Sequence, residues 1–224
     1  NDGDKDMAIG TAGIIYYYSN TGSSDSAVWT QVSTNYTGTN VGDRAKPAFG
    51  DMDNDGDKDL LVGDFTGYLE YFRNDGTASS PIWYHASSDY IGYQGAYLVP
   101  TLGDLDNDGD LDLVFGENAG TLHYYRNIGA SDSIAFTQKS TNWLGASFNY
   151  GGNDLADMDN DGDKDMAIGK SDGNISYYSN IGSADSAVWT SVSSNYVGNT
   201  LPNGNAKPTF GDLDNDGDYD ILVG

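Results

Sequence analysis

The chain has 224 residues, of which 34 are acidic and 10 basic, for a net charge of −24. That charge sets the protein against nucleic-acid phosphates and anionic lipid. The lack of cysteine excludes disulfides and thiol chemistry, and no apolar run approaches the ~20 residues that a helix needs to span a bilayer.

All acids but Glu70 and Glu117 are Asp, and Gly, Tyr, Ser and Thr are abundant. This argues against a helical bundle. Hydrophobic residues at 38%, with 12% aromatic, supply enough apolar surface for a packed core. The string Asn-Asp-Gly-Asp starts at Asn1, Asn54, Asn107, Asn160 and Asn215, at intervals of 53, 53, 53 and 55 residues. Each copy continues as x-Asp, three mostly apolar residues and Gly. The chain divides into repeats 1–53, 54–106, 107–159 and 160–214, with 215–224 starting a fifth. Periods of this length mark solenoids, propellers and related arrays.

The second repeat shows the parts. Leu60-Leu61-Val62 closes on Gly63, and Tyr68-Leu69-Glu70-Tyr71-Phe72 closes on Asn74-Asp75-Gly76. A third extended segment surrounds Pro81-Ile82-Trp83-Tyr84, and a fourth runs from Tyr97 to Leu102. Short runs rich in aromatic and β-branched residues, cut by Gly, Asn and Asp turns, predict antiparallel strands. The expected fold is all-β: a β-propeller-type array of four-stranded antiparallel blades, about 53 residues per repeat. Length varies most in Gly38–Lys46, Gly92–Val99, Gly145–Asn153 and Gly198–Lys207, which are expected to be surface loops.

The chemistry is in the Asp loops. Four are complete: Asp51, Asp53, Asp55, Asp57 and Asp59; Asp104, Asp106, Asp108, Asp110 and Asp112; Asp157, Asp159, Asp161, Asp163 and Asp165; Asp212, Asp214, Asp216, Asp218 and Asp220. A partial loop at the start contributes Asp2, Asp4 and Asp6. Carboxylates at positions one, three and five of a tight loop can converge on one point, and the Gly at six permits the turn. Position seven offers a carbonyl, and the Asp at nine closes the shell. Hard oxygen donors in this order suit Ca²⁺, whereas Zn²⁺ prefers His or Cys. Solvated acidic turns are the bland alternative, but they need no fixed spacing. Unit charges about 4 Å apart repel by roughly 4 kcal/mol at an effective dielectric of 20, so unshielded Asp residues would strain the loop. An EF-hand is excluded because its twelfth position, which needs a bidentate Glu, is Val62, Phe115, Ile168 or Val223.

The strand–loop–strand pattern Asp-h-Asp-x-Asp-Gly-x-x-Asp-h-h-h-Gly resembles the FG-GAP repeat of integrin α-subunit propellers, and more closely the VCBS-type repeats of bacterial and archaeal secreted proteins. Phe49-Gly50 and Phe210-Gly211 stand where the "FG" of the name falls, while Leu102-Gly103 and Leu155-Ala156 depart from it. The resemblance covers the whole chain. It implies a calcium-binding propeller but leaves function open, because such repeats occur in adhesins, lectins and appendages of enzymes.

Among the remaining candidates, Trp29, Trp83, Phe136 and Trp189 share one repeat position, and Tyr17, Tyr71, Tyr124 and Tyr177 share another. Recurrence in every blade favours packing between blades over sugar stacking. Tyr93, Tyr97, Phe148 and Tyr150, in the variable loops, are better ligand candidates. His123 occupies a position held by Glu70 and Ser176 in other repeats and is expected at the surface. No nucleophile-elbow motif accompanies the two His, so no catalytic residue is assigned. Asn35 and Asn174 lie in glycosylation sequons. The expectation is a secreted or cell-surface, non-enzymatic, calcium-stabilised protein serving adhesion, surface or filament structure, or glycan binding. The alternative is the non-catalytic propeller of a secreted polysaccharide-degrading enzyme. Both ends are expected to meet further repeats of the chain or neighbouring copies, with no nucleic-acid partner and no membrane insertion.

Overall fold

The computed structural model describes residues 5–22, 27–129, 134–145, 152–182, 187–198, 200–202, 204–212 and 217–224. Among these there are strands and no helix. A three-stranded sheet holds β1 (Met7–Gly10), β2 (Ile15–Asn20) and β3 (Trp29–Ser33). Three four-stranded sheets follow. The first holds β4 (Lys46–Gly50), β5 (Asp59–Gly63), β6 (Leu69–Asn74) and β7 (Trp83–Ser87). The second holds β8 (Val99–Gly103), β9 (Asp112–Gly116), β10 (Leu122–Asn127) and β11 (Phe136–Ser140). The third holds β12 (Asn153–Ala156), β13 (Asp165–Gly169), β14 (Ile175–Asn180) and β15 (Trp189–Ser193). β16 (Pro208–Gly211) and β17 (Asp220–Val223) pair as a two-stranded sheet. Every sheet is an antiparallel meander in chain order. This is the blade architecture expected from the repeat. Each four-stranded sheet begins on the strand that enters an Asp loop, so the boundaries counted from Asn54, Asn107 and Asn160 fall inside the loops.

The entering strands β4, β8, β12 and β16 stand side by side around one axis. With β1 and β17 they wall a cavity of about 620 Å³. Each is the edge of its own sheet, which is where a proline, lacking a donor, is tolerated; Pro47, Pro100 and Pro208 all face this channel. Neighbouring strands are clasped by side chains. Thr101 Oγ1 donates to Asn153 O at 2.8 Å, and Asp154 Oδ2 accepts from Phe210 N at 2.7 Å.

The second strand of each complete blade is buried along its whole length. Its alternate residues serve two interfaces. Leu61 packs with Leu98, Leu113 and Phe115 toward the following blade, while Leu60 and Val62 pack with Ile15, Val41 and Phe72 toward the preceding one. Cover on both faces explains why these strands are continuously apolar rather than alternating. The glycines ending β5 and β13 are set by the same crowding. A Cβ at Gly63 would stand 2.2 Å from Leu98 O, and one at Gly169 would stand 1.8 Å from Ala206 O, where the next entering strand crosses.

The recurring aromatics also bridge blades. Tyr17 stacks on Tyr36 at 4.4 Å, and Tyr36 meets Trp83 of the next blade edge-on at 5.3 Å. Tyr71, Tyr90 and Phe136 repeat the arrangement, as do Tyr124, Trp143 and Trp189. The expected packing between blades is therefore observed at Trp83, Phe136 and Trp189 and at the tyrosines that meet them through a loop aromatic, while Trp29 is exposed.

Two expectations need correction. The variable segments are surface loops only in part: Val41, Ala45, Leu98 and Ala206 within them are buried between blades. His123 is not at the surface. It is 4% exposed, stacked on Phe115 at 4.8 Å and bonded through Nε2 to the Tyr93 hydroxyl at 3.0 Å. Tyr93, from the loop between blades, covers the imidazole, so its burial depends on a long-range contact. Phe148 and Tyr150 lie outside the described residues.

Gly63→Ala is expected to lower the unfolding free energy by about 1–3 kcal/mol, the usual cost of forcing atoms into a packed site. Urea denaturation reads it directly, and an unchanged midpoint would contradict the close crossing at Leu98.

Candidate metal centres

Each loop joins the entering strand to the second strand of its blade. Its curvature requires two left-handed residues. Asn at position four has φ of 57° at Asn54, 53° at Asn107 and 59° at Asn160; Gly at position six has φ of 95° at Gly56, 92° at Gly109 and 99° at Gly162. Asn tolerates this region and Gly adopts it freely. The first Asp closes the turn: Asp51 accepts from the backbone of Asp55 at 3.1 Å and of Gly56 at 3.0 Å, and Asp157 does the same with Asp161 and Gly162.

Carboxylate oxygens converge in three loops. Asp51, Asp53 and Asp55 form one group, Asp104, Asp106 and Asp108 a second, and Asp157, Asp159 and Asp165 a third. Within each group the oxygens lie within 4.8 Å of one another. Asp53 Oδ1, Asp104 Oδ1 and Asp106 Oδ1 are buried acceptors with no hydrogen-bond partner. Burial and the neighbouring carboxylates raise the pKa of Asp53 and Asp106. Orphaned hard oxygens gathered at this spacing fit a divalent cation with oxygen ligands.

Asp57, Asp110 and Asp163, at position seven, lie outside these groups. Asp110 Oδ1 accepts from Asn54 Nδ2 at 2.7 Å and Asp163 Oδ1 accepts from Asn107 Nδ2 at 2.9 Å. Each bond ties one loop to the loop of the next blade. Asp161 also lies outside the third group. In the fourth loop Asp212 accepts from Gly217 N at 3.1 Å, and Asp218 and Asp220 are described, while Asp214 and Asp216 lie outside the described residues. Asp2 and Asp4 of the partial loop also lie outside them.

The ninth position has an additional task. Asp59 is buried at 1% exposure and accepts from Met52 N at 3.2 Å, Asn74 N at 2.9 Å and the Tyr71 hydroxyl at 3.2 Å. Asp112 repeats this set with Leu105, Asn127 and Tyr124, and Asp165 with Met158, Asn180 and Tyr177. Asp6 accepts from the Tyr17 hydroxyl and from Asn20 N. The Asn passes the constraint outward: Asn74 Oδ1 accepts from Gly76 N and Ile82 N, both at 3.0 Å, closing the outer hairpin. Burial outweighs these bonds and pushes the Asp59 pKa up to about 6 and that of Asp112 up to about 7.

Loop 104–112 also holds a fixed cation. Arg126 Nε stands 2.5 Å from Asp106 Oδ2, and its Nη2 donates to Asp108 Oδ2 at 3.0 Å. The equivalent residue in the fourth blade is Ser179, which donates to Asp159 Oδ2 at 3.2 Å. Sequence reasoning missed Arg126. The signal was a repeat position filled by Ser, Arg, Arg and Ser at Ser19, Arg73, Arg126 and Ser179.

The FG-GAP-like repeat family matches four overlapping segments, residues 1–62, 51–115, 104–168 and 157–223. The chain belongs to this family. A search of curated proteins finds no match. Among solved structures, the FG-GAP-like chain is similar to a lectin from Agrocybe aegerita described by its specific recognition of non-reducing terminal N-acetylglucosamine. The TM-score is 0.51 at 19% identity. The likeness covers 99% of this chain and 57% of the lectin chain, so this chain spans little more than half the lectin's length. At that identity the similarity shows the fold.

The raised carboxylates give the metal-free protein a pH dependence of definite sign. Asp59 and Asp112 hold their protons more tightly folded than unfolded. Their contribution is complete below the ordinary value of 3.8 and is lost as pH rises through about 6 and about 7. With a chelator present, the melting temperature is expected to fall between about pH 5 and about pH 8. A melting temperature that rises over this interval would contradict the burial of these groups.

Proposed function

We propose that this FG-GAP-like propeller is an extracellular, calcium-stabilised, non-enzymatic protein that binds glycans. The observation that carries calcium is the convergence of three carboxylates in each of three loops, with buried oxygens left unpartnered in the first two. The ligands proposed are the Asp residues at positions one, three, five and nine, with a carbonyl at seven. The position-seven side chains Asp57, Asp110, Asp163 and Asp218 add negative charge around the site. Near-millimolar extracellular calcium matches the affinity of extracellular modules. Glycan binding is supported by the lectin of similar fold, whose described ligand is a terminal N-acetylglucosamine. A rigid scaffold with variable loops suits such a role.

Three sites, each filled at 100 times its dissociation constant, would add about 8 kcal/mol together. Melting with EDTA should therefore occur far below melting with calcium, and equal midpoints would refute calcium stabilisation. Arg126→Ser places in the third blade the residue found in the fourth. It frees Asp106 and Asp108 and is expected to tighten calcium at that loop on the order of tenfold, about 1.4 kcal/mol, measured by calorimetric titration. Unchanged affinity would show that the guanidinium does not compete with the cation. A glycan array probed with calcium-loaded protein should give binding; no binding to any glycan would refute the lectin reading.

A further inference from the structure

The axial channel opens at the end opposite the Asp loops into a second cavity of about 660 Å³, within the size range of small-ligand sites. Its wall is built where the chain enters the innermost strands. Arg44, Tyr97 and Asn205 hold left-handed backbone at the equivalent point of three blades, with φ of 56°, 57° and 55°. Two residues on from Arg44 and Asn205, Lys46 and Lys207 face both this cavity and the channel. A protein of net charge −24 thus gathers Arg44, Lys46 and Lys207, three of its 10 basic residues, at one opening.

These cations have no ion-pair partner among the described residues. Two acids share the wall, and each already accepts a hydrogen bond from a neighbour. Asp43 Oδ1 accepts from Arg44 N at 3.0 Å, and Glu117 is held by the Thr121 hydroxyl and by His123 Nε2. Burial lowers the Lys46 pKa, and the nearby charges of Lys207 and Arg44 act in the same direction. The Arg44 guanidinium is fixed over two rings, 5.1 Å from the Phe65 centroid and 4.8 Å from that of Tyr97. Tyr97 itself lines the cavity. Asn118 also lines it, and its Oδ1 has no hydrogen-bond partner.

We propose that this opening is a binding site for an acidic saccharide, whose carboxylate is taken by Arg44, Lys46 and Lys207. A planar guanidinium matches a carboxylate in two parallel bonds. The Tyr97 ring and the Asn118 side chain in the same wall supply the apolar and polar contacts of a sugar ring. The site rests on the glycan-binding reading and specifies its ligand class. It also sets the acidic ligand at the far end of the channel from the Asp loops, whose charge would repel it.

The test is calorimetric titration of the calcium-loaded protein with tetragalacturonate and, separately, with the neutral tetramer of N-acetylglucosamine. The uronate should bind more tightly than the neutral tetramer. Lys46→Gln/Lys207→Gln should weaken it at least tenfold, as should Arg44→Asn, which keeps a residue tolerant of left-handed backbone. Lys139→Gln, on the exposed outer strand β11, should leave it unchanged. Melting in calcium checks that every variant is folded. Uronate binding no tighter than neutral binding, or equal in all variants, overturns the site while leaving the glycan reading in place if either saccharide binds. Binding of neither tetramer overturns the site, and the glycan array decides the wider reading.

Discussion

The buried Asp at the ninth loop position is the constraint on which the rest depends. Asp59, Asp112 and Asp165 each accept from the loop backbone, from the backbone at the end of the third strand, and from a tyrosine hydroxyl. A buried carboxylate is costly unless it is well bonded or neutralised. Here three donors meet it from the loop and from the third strand of the blade, and each is fixed by the encounter. The Asn that supplies one donor then caps the outer hairpin with its own side chain. A single chain of hydrogen bonds thus runs from the Asp loop across the blade to its outer edge.

That chain couples a local motif to global packing. The Tyr whose hydroxyl meets the Asp stacks on the loop aromatic that touches the next blade, as in the series Tyr71, Tyr90 and Phe136. A displacement of the Asp loop is therefore felt at the interface between blades. Asn54 and Asn107 add a second coupling by bonding each loop to its successor. The loops form a linked row, and a charge change in one bears on its neighbours. Arg126 shows that the row is not uniform: one loop carries its own guanidinium, while another offers only the Ser179 hydroxyl.

Much of this was legible in the sequence because the repeat removes ambiguity. One apolar triplet such as Leu60-Leu61-Val62 cannot be told from a buried helix segment, but its return beside a fixed Asp loop and a closing Gly defines a strand. Convergence at positions one, three and five was expected from the loop spacing and occurs in two loops, while the third gathers positions one, three and nine. What escaped depended on contacts between blades. Nothing near His123 announces that Tyr93 will cover it. The second task of the Asp at position nine, gathering three hydrogen-bond donors, shows only once the blade is folded. The cationic opening was hidden because Lys207 lies far along the chain from Arg44 and Lys46, although the Lys-Pro pairs at Lys46 and Lys207 were a visible hint.

The central claim is that the converging Asp residues surround a cation rather than merely shape a turn. A crystal structure of the protein grown with calcium, with anomalous data collected to locate the metal, tests this most directly. A calcium peak is expected inside each of the groups Asp51–Asp53–Asp55, Asp104–Asp106–Asp108 and Asp157–Asp159–Asp165, with Arg126 withdrawn from the second. Loops of unchanged shape with no peak at any of the three positions would contradict it.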